Sequence, residues 1–246
     1  MDRTIYVTLD VDWANDPVLE WTLDLLEDQG VPATIFVTHD TPLFKRLRTG
    51  ASFEIGLHPN FRPLLAEKNH PDNAESILDR VRELAPEAVS VRSHALVDGS
   101  DLMALFARRG LTHESNLLLP FAPGQELRPF KSHNGMIRVP YGWEDDVHCL
   151  HVAAGRAADW RPDRVLAAPG LKVVNFHPAH LYLNTEDLNR LSPECRALLY
   201  DHAGPPGLER HVNPSPAEGS RVFFLNLVEG ARAGGFEFGH IRDITA

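Results

Sequence analysis

The run Thr4-Ile5-Tyr6-Val7-Thr8-Leu9-Asp10-Val11-Asp12-Trp13 sets two carboxylates at the end of an apolar segment rich in β-branched and aromatic residues. Such a composition favours a strand, and strand side chains alternate between faces, so Asp10 and Asp12 project to the same side. Two carboxylates held close repel each other unless a metal ion, a shared proton or a cation lies between or beside them. An N-cap role for Asp12 explains one of the pair and not the other. Further along, Glu54-Ile55-Gly56-Leu57-His58-Pro59 ends a short apolar run in a histidine held extended by the following proline. A neutral imidazole at a strand end is a common metal ligand, although a loop histidine bonded to backbone is the commoner case. In Val89-Ser90-Val91-Arg92-Ser93-His94 the arginine and histidine share a face. Arg92 suits pairing with a carboxylate and holding it ionised. His94 is compatible with a ligand, a substrate contact or a packed core histidine. Val173-Val174-Asn175-Phe176-His177-Pro178-Ala179-His180 ends the most apolar late strand. His177 has the near-neutral pKa of a general acid, and His180 lies within ligand spacing or simply caps or packs. In Tyr141-Gly142-Trp143-Glu144-Asp145-Asp146, Trp143 offers an apolar wall for a sugar ring, and Asp145 or Asp146 a partner that fixes a histidine tautomer. A solvated turn is the ordinary reading of that cluster.

These residues need elements to position them. Strand-like segments at Ile5–Leu9, Thr34–Thr38, Phe53–Gly56, Val89–Val91, Met136–Val139 and Lys172–Phe176 alternate with helix-like ones. The helices are expected over Pro17–Gln29, Asn73–Leu84 and Ser100–Arg109, the last with Ser100 as N-cap. Leu118–Lys131 carries Pro120, Pro123 and Pro129 and reads as a long loop or irregular strands; Gly204–Pro216, with Arg210 and His211, reads as a lid or a connector. Repeated strand–helix alternation predicts an α/β fold with a largely parallel sheet, whose chemistry sits at the carboxyl ends of the strands. Asp10, Asp12, His58, Arg92, His94 and His177 all fall at or just after predicted strand ends.

With 246 residues, 43% hydrophobic and 24% charged, the chain has the composition of an ordinary globular domain able to bury its own core. A formal net charge of −10 argues against nucleic acid as a partner, because phosphate binding needs clustered Lys and Arg. Two cysteines make no disulfide framework and point to a reducing, cytoplasmic location. The first residues read as a strand, so no signal peptide is expected, and no run is long enough to span a membrane.

The ordered set of motifs resembles the polysaccharide deacetylases of the NodB homology type, carbohydrate esterase family 4, in a divergent WbmS-like branch. Thr8-Leu9-Asp10-Val11-Asp12 is similar to the family's first motif, Glu54–His58 to the start of its second, Val91–His94 to its arginine motif and Val174–His177 to the late strand carrying the acid histidine. The resemblance spans roughly residues 4 to 180. It implies a distorted (β/α) barrel, here one domain over 1–246 with a C-terminal extension from about 181. It also implies a metal-dependent amide hydrolase that removes an N-acetyl or N-formyl group from a sugar of a surface-polysaccharide pathway. On this resemblance Asp10 is the base, supported by Arg92, His177 is the acid, and Asp12 and His58 hold a divalent metal, most simply Zn²⁺. Trp143, Asp146 and His180 are expected at the substrate. The chain departs from the pattern at position 62, where Arg62 stands in place of the second histidine; His94, or the more distant His70, is expected to replace it. Two rivals are a non-catalytic sugar-binding relative and a hydrolase of another small C–N bond. A phosphoesterase reading finds no glycine-rich phosphate cradle.

Overall fold

The computed structural model describes residues 3–67, 69–201 and 207–246. Ten strands form one curled sheet: β1 Thr4–Asp10, β2 Ala33–Val37, β3 Phe53–Leu57, β4 Ser90–Val91, β5 His113–Glu114, β6 Phe130–Lys131, β7 Ile137–Arg138, β8 Trp143–Glu144, β9 Lys172–Phe176 and β10 Glu237–Gly239. Their order is β6-β7-β5-β4-β3-β2-β1-β9-β8, and every pairing is parallel except β6 with β7. β1 is the centre: it pairs with β9 along Ile5–Leu9, with β2 through Thr8–Asp10 and with β10 through Thr4–Tyr6.

Alternation along β1 divides the core in two. Ile5, Val7 and Leu9 pack outward with Ile35, Val37, Leu57 and Val174 into the large cluster under the helices. Tyr6 joins Phe36, Tyr141, Val173, Ile241 and Ile244 in a second cluster on the inner face of the curl. The helix Asp16–Asp28 buries Val18, Leu19, Leu23 and Leu26, and Asn15 caps it by accepting from Val18 N at 3.0 Å. Asp12 therefore is not a cap. The helix Ala74–Leu84 begins in a capping box between Asn73 and Ser76. Helix Ser100–Arg108 starts one residue earlier than expected: Gly99 is its N-cap, and Ser100 is the first helical residue.

Sequence patterning missed several short or late elements. Tyr141–Asp146 is not a solvated turn: Trp143–Glu144 is a strand, and Asp145, fully buried, opens the helix Asp145–Ala153. Leu118–Lys131 is irregular strand, bridged from Leu118 to Tyr141 and from Leu127 to Gly170. The chain beyond 181 is woven into the same core, since helix Ser220–Ala233 buries Phe223, Phe224, Leu227 and Val228, and β10 completes the edge of β1. Residues 204–206 of the expected lid or connector lie outside the described residues. No helix among the described residues is long and apolar enough to cross a membrane.

Candidate active site

The carboxyl ends of β1, β3, β4, β8 and β9 meet at one mouth, and the parity of each strand decides what enters it. Asp10 ends β1, and its carboxylate is clamped from two sides. Arg92 Nη1 donates to Oδ1 at 3.1 Å and Asn175 Nδ2 donates to Oδ2 at 3.0 Å. Arg92, the largest fully buried side chain, has every direction fixed. Its guanidinium lies between the rings of Phe36 and Tyr141, at 4.6 and 4.4 Å from their centroids. Nε and Nη2 donate to Ser115 O and Oγ, both at 2.9 Å, and Nη1 also donates to Thr8 Oγ1 and Asn175 Oδ1. A buried cation this heavily paired is a positioning device for the carboxylate it faces.

Two residues on, Asp12 meets both predicted imidazoles. His58 Nε2 lies 3.2 Å and His94 Nδ1 2.7 Å from Asp12 Oδ2, and one ligand atom from each of the three residues lies within 4.8 Å of the others. Burial acts to raise the Asp12 carboxyl, but the two imidazoles outweigh it and hold the group well below the usual carboxylate range. Burial lowers His58, and Asp10 and Asp12 more than reverse this, so it stands above its ordinary value. Its Nδ1 makes no hydrogen bond and lies 3.8 Å from Asp10 Oδ1. Two imidazoles and one carboxylate, with Asp12 and His94 partly open to solvent, form the three-ligand, one-open-position set that a catalytic zinc takes. A cleft of about 440 Å³ opens on it, lined by Asp12, Thr38, His39, His58, Asn60 and Arg80 among others. Arg62 is exposed in the short helix Arg62–Ala66. His70 is held apart, accepting from Asp72 N at 3.1 Å. The imidazole that joins Asp12 and His58 is therefore that of His94.

His177 occupies the opposite wall. Its Nδ1 lies 2.8 Å from Asp145 Oδ1, and its backbone N–H donates to Oδ2 at 3.0 Å. Asp145 also accepts from Asp146 N and from Ser220 Oγ, both close, so this fully buried carboxylate is satisfied and aims the ring. Burial works against a charge on His177, yet Asp145 beside it pushes the imidazole well above its usual pKa. Atoms of Asp10, Glu144 and His177 lie within 4.8 Å of one another. The indole of Trp13 covers the ring of His177 in a near-parallel stack, 5.3 Å between centroids.

Two expected substrate contacts stand elsewhere. Trp143 is 5% exposed and stacks at 3.8 Å on Phe223. The cavity it lines, about 480 Å³ with Phe121, His148 and Arg161, includes none of the Asp12 cluster. Its odd position in β8 turns it outward. His180 is fully buried, edge-on to Trp13, with Nε2 3.3 Å from Asp146 Oδ1, so it braces Asp146 and does not face the open cleft. Asp146 itself is partly exposed. Sequence reasoning missed Asn175, Glu144, Ser115 and Trp13. Asn175 was signalled as the one polar residue on the inner face of an apolar strand; nothing in the sequence marked Trp13.

Backbone strain is concentrated here. Of the four non-glycine residues with positive φ among the described residues, Trp13 follows Asp12, and Ala95 and Leu96 follow His94. Such conformations cost free energy and persist where packing enforces them, commonly at functional sites.

A half-barrel of parallel strands bearing these paired acids, imidazoles and buried arginine at its mouth defines a polysaccharide deacetylase fold. A model of the WbmS-like polysaccharide deacetylase family matches residues 7–193, and the chain belongs to that family. A crystal structure from Bordetella bronchiseptica, described as a candidate polysaccharide deacetylase involved in O-antigen biosynthesis, is 42% identical. It superposes with a TM-score of 0.83 over 94% of this chain and 91% of that one. A peptidoglycan N-acetylglucosamine deacetylase, 15% identical with a TM-score of 0.53 over 99% of this chain and 88% of that one, shares the fold. A search of the curated proteins found no match.

Proposed function

We propose that this chain is a metal-dependent amide hydrolase that removes an N-acetyl or N-formyl group from a sugar of a surface-polysaccharide pathway. The observation that carries the reading is the convergence of Asp12, His58 and His94 within 4.8 Å, beside an Asp10 clamped by Arg92 and opposite a His177 clamped by Asp145. Asp12, His58 and His94 would hold a divalent cation, with zinc the best match to their donor atoms. Bound there, the cation supplies Lewis-acid polarisation of the amide carbonyl and makes water more acidic.

The protein's own residues do the rest. Asp10 takes the proton of the attacking water. Arg92 and Asn175 hold its carboxylate in a fixed direction. His177 enters as imidazolium and delivers its proton to the departing nitrogen, because an amide nitrogen leaves only once protonated. Asp145 stabilises that imidazolium and fixes which nitrogen faces the substrate. The products are acetate or formate and an amino sugar. The 42% identical Bordetella relative supports a substrate from O-antigen or a related glycan. Two free, buried cysteines fit a reducing cytoplasm. Arg62 in place of a ligand histidine would favour a non-catalytic relative; the position of His94 beside Asp12 supports the catalytic reading instead. The test is acetate release from N-acetylated amino sugars by the zinc-loaded protein. Asp12→Ala and Asp10→Asn should both abolish it; full activity in either variant, or after chelation, contradicts the reading.

A further inference from the structure

Glu144 ends β8, paired in register with Asn175, so its side chain enters the mouth beside the residues that clamp Asp10. Tyr141 Oη donates to its Oε2 at 2.8 Å, and the same Tyr141 ring packs against the Arg92 guanidinium. The carboxyl is thus fixed in direction, and its second oxygen, Oε1, has no hydrogen-bond partner among the described residues. Neither the base, the acid nor the metal-ligand role uses it. Yet a Glu144 oxygen lies within 4.8 Å of atoms of both Asp10 and His177.

Resting on the deacetylase reading, we propose that Glu144 recognises the sugar through a hydroxyl on the ring carbon next to the one bearing the acylated nitrogen. Asp10 and His177 flank the scissile amide, one on the attacking side and one on the leaving side. A group this close to both reaches only the amide and its immediate neighbours, and on an amino sugar those neighbours are the substituents of the adjacent ring carbons. A hydroxyl suits Oε1 in either protonation state, since it both donates and accepts. Burial raises the Glu144 carboxyl above its usual value, which suits a group that shares the mouth with Asp10. A polar atom with a fixed orientation and no protein partner discriminates against a ligand that leaves it unpaired. The substrate class is therefore an N-acylated amino sugar with a free vicinal hydroxyl, and deoxy or blocked sugars are rejected.

The test compares kcat/KM of the zinc-loaded protein for the methyl glycosides of N-acetylglucosamine and N-acetylgalactosamine with that for their 3-deoxy counterparts. The wild type should prefer the hydroxylated sugars by about tenfold or more. Glu144→Leu should collapse that preference towards one, and Glu144→Gln, which keeps a polar oxygen, should retain part of it. Tyr141→Phe, which frees the carboxyl, should fall between. A wild type without preference, or a Glu144→Leu variant that loses the same factor on both sugars, overturns the inference and leaves the deacetylase reading standing. Zinc-loaded wild type that deacetylates none of the four sugars overturns both.

Discussion

Asp12 carries the account at the scale of the single residue, because two imidazoles approach its Oδ2 together. His94→Ala removes an imidazole nitrogen 2.7 Å from its carboxylate and, on the proposed ligand set, should weaken zinc binding by about one to two orders of magnitude, read by competition with a chromophoric chelator. His70→Ala, which removes an imidazole beside Asp72, should bind zinc like the wild type. Equal affinities across both variants would refute the ligand assignment. On the proposed mechanism His177 sets the pH dependence. Its working form is the imidazolium, and Asp145 holds its pKa well above the usual value, so activity persists above neutrality and falls as pH rises through that raised pKa. Asp145→Asn removes the anion and leaves burial, which favours the neutral ring. The basic limb of the pH–rate profile should then move to lower pH, and an unmoved limb would exclude His177 as the acid. Asp10, Arg92 and His177 were legible in the sequence because strand parity places them. Trp143 and His180 lie away from the open cleft: their types suggested contact with sugar, but which side of a two-residue strand or short helix faces the mouth depends on packing that composition does not encode.

Strands with strong apolar patterning were legible as elements, and β1, β2, β3 and β9 stand within a residue or two of their expected bounds. The two-residue strands β5 and β8 were not, since so short a segment has no period to detect; they are strands only because their neighbours are. One close approach ties the elements to the site. A Cβ on Gly56 of β3 would meet the Phe36 ring at 2.5 Å and Ser90 O at 3.3 Å. Phe36 is fully buried and forms one face of the Arg92 sandwich, so it has nowhere to retreat. Gly56→Ala should cost about 1–3 kcal/mol, as overpacked cores do, measured by urea unfolding, and should lower kcat by displacing Arg92. A variant as stable and as active as the wild type would show that the β2–β3 contact does not support the arginine.

The whole molecule closes the half-barrel with its own last residues. Ile241 and Ile244 fill the inner cluster with Tyr6 and Phe36. Ile241 N donates to Thr34 Oγ1, Arg242 N donates to Glu54 Oε2, and β10 completes the edge of β1. Ending the chain after 236 uncovers that cluster and leaves the buried Glu54 short of a donor. It should lower the melting temperature by roughly 10 °C or more, whereas an unchanged melting curve would make the tail an appendage. Nothing in the sequence pattern announced this plug, because it is made by contacts between residues far apart along the chain. Asp12, His58 and His94 are likewise brought together from separate strand ends. The most direct test of that convergence is anomalous diffraction at the zinc edge from zinc-loaded crystals. The account predicts one peak held by Asp12, His58 and His94 with an open side towards Asp10 and His177. A mouth without that peak, or zinc bound by other residues, would contradict it.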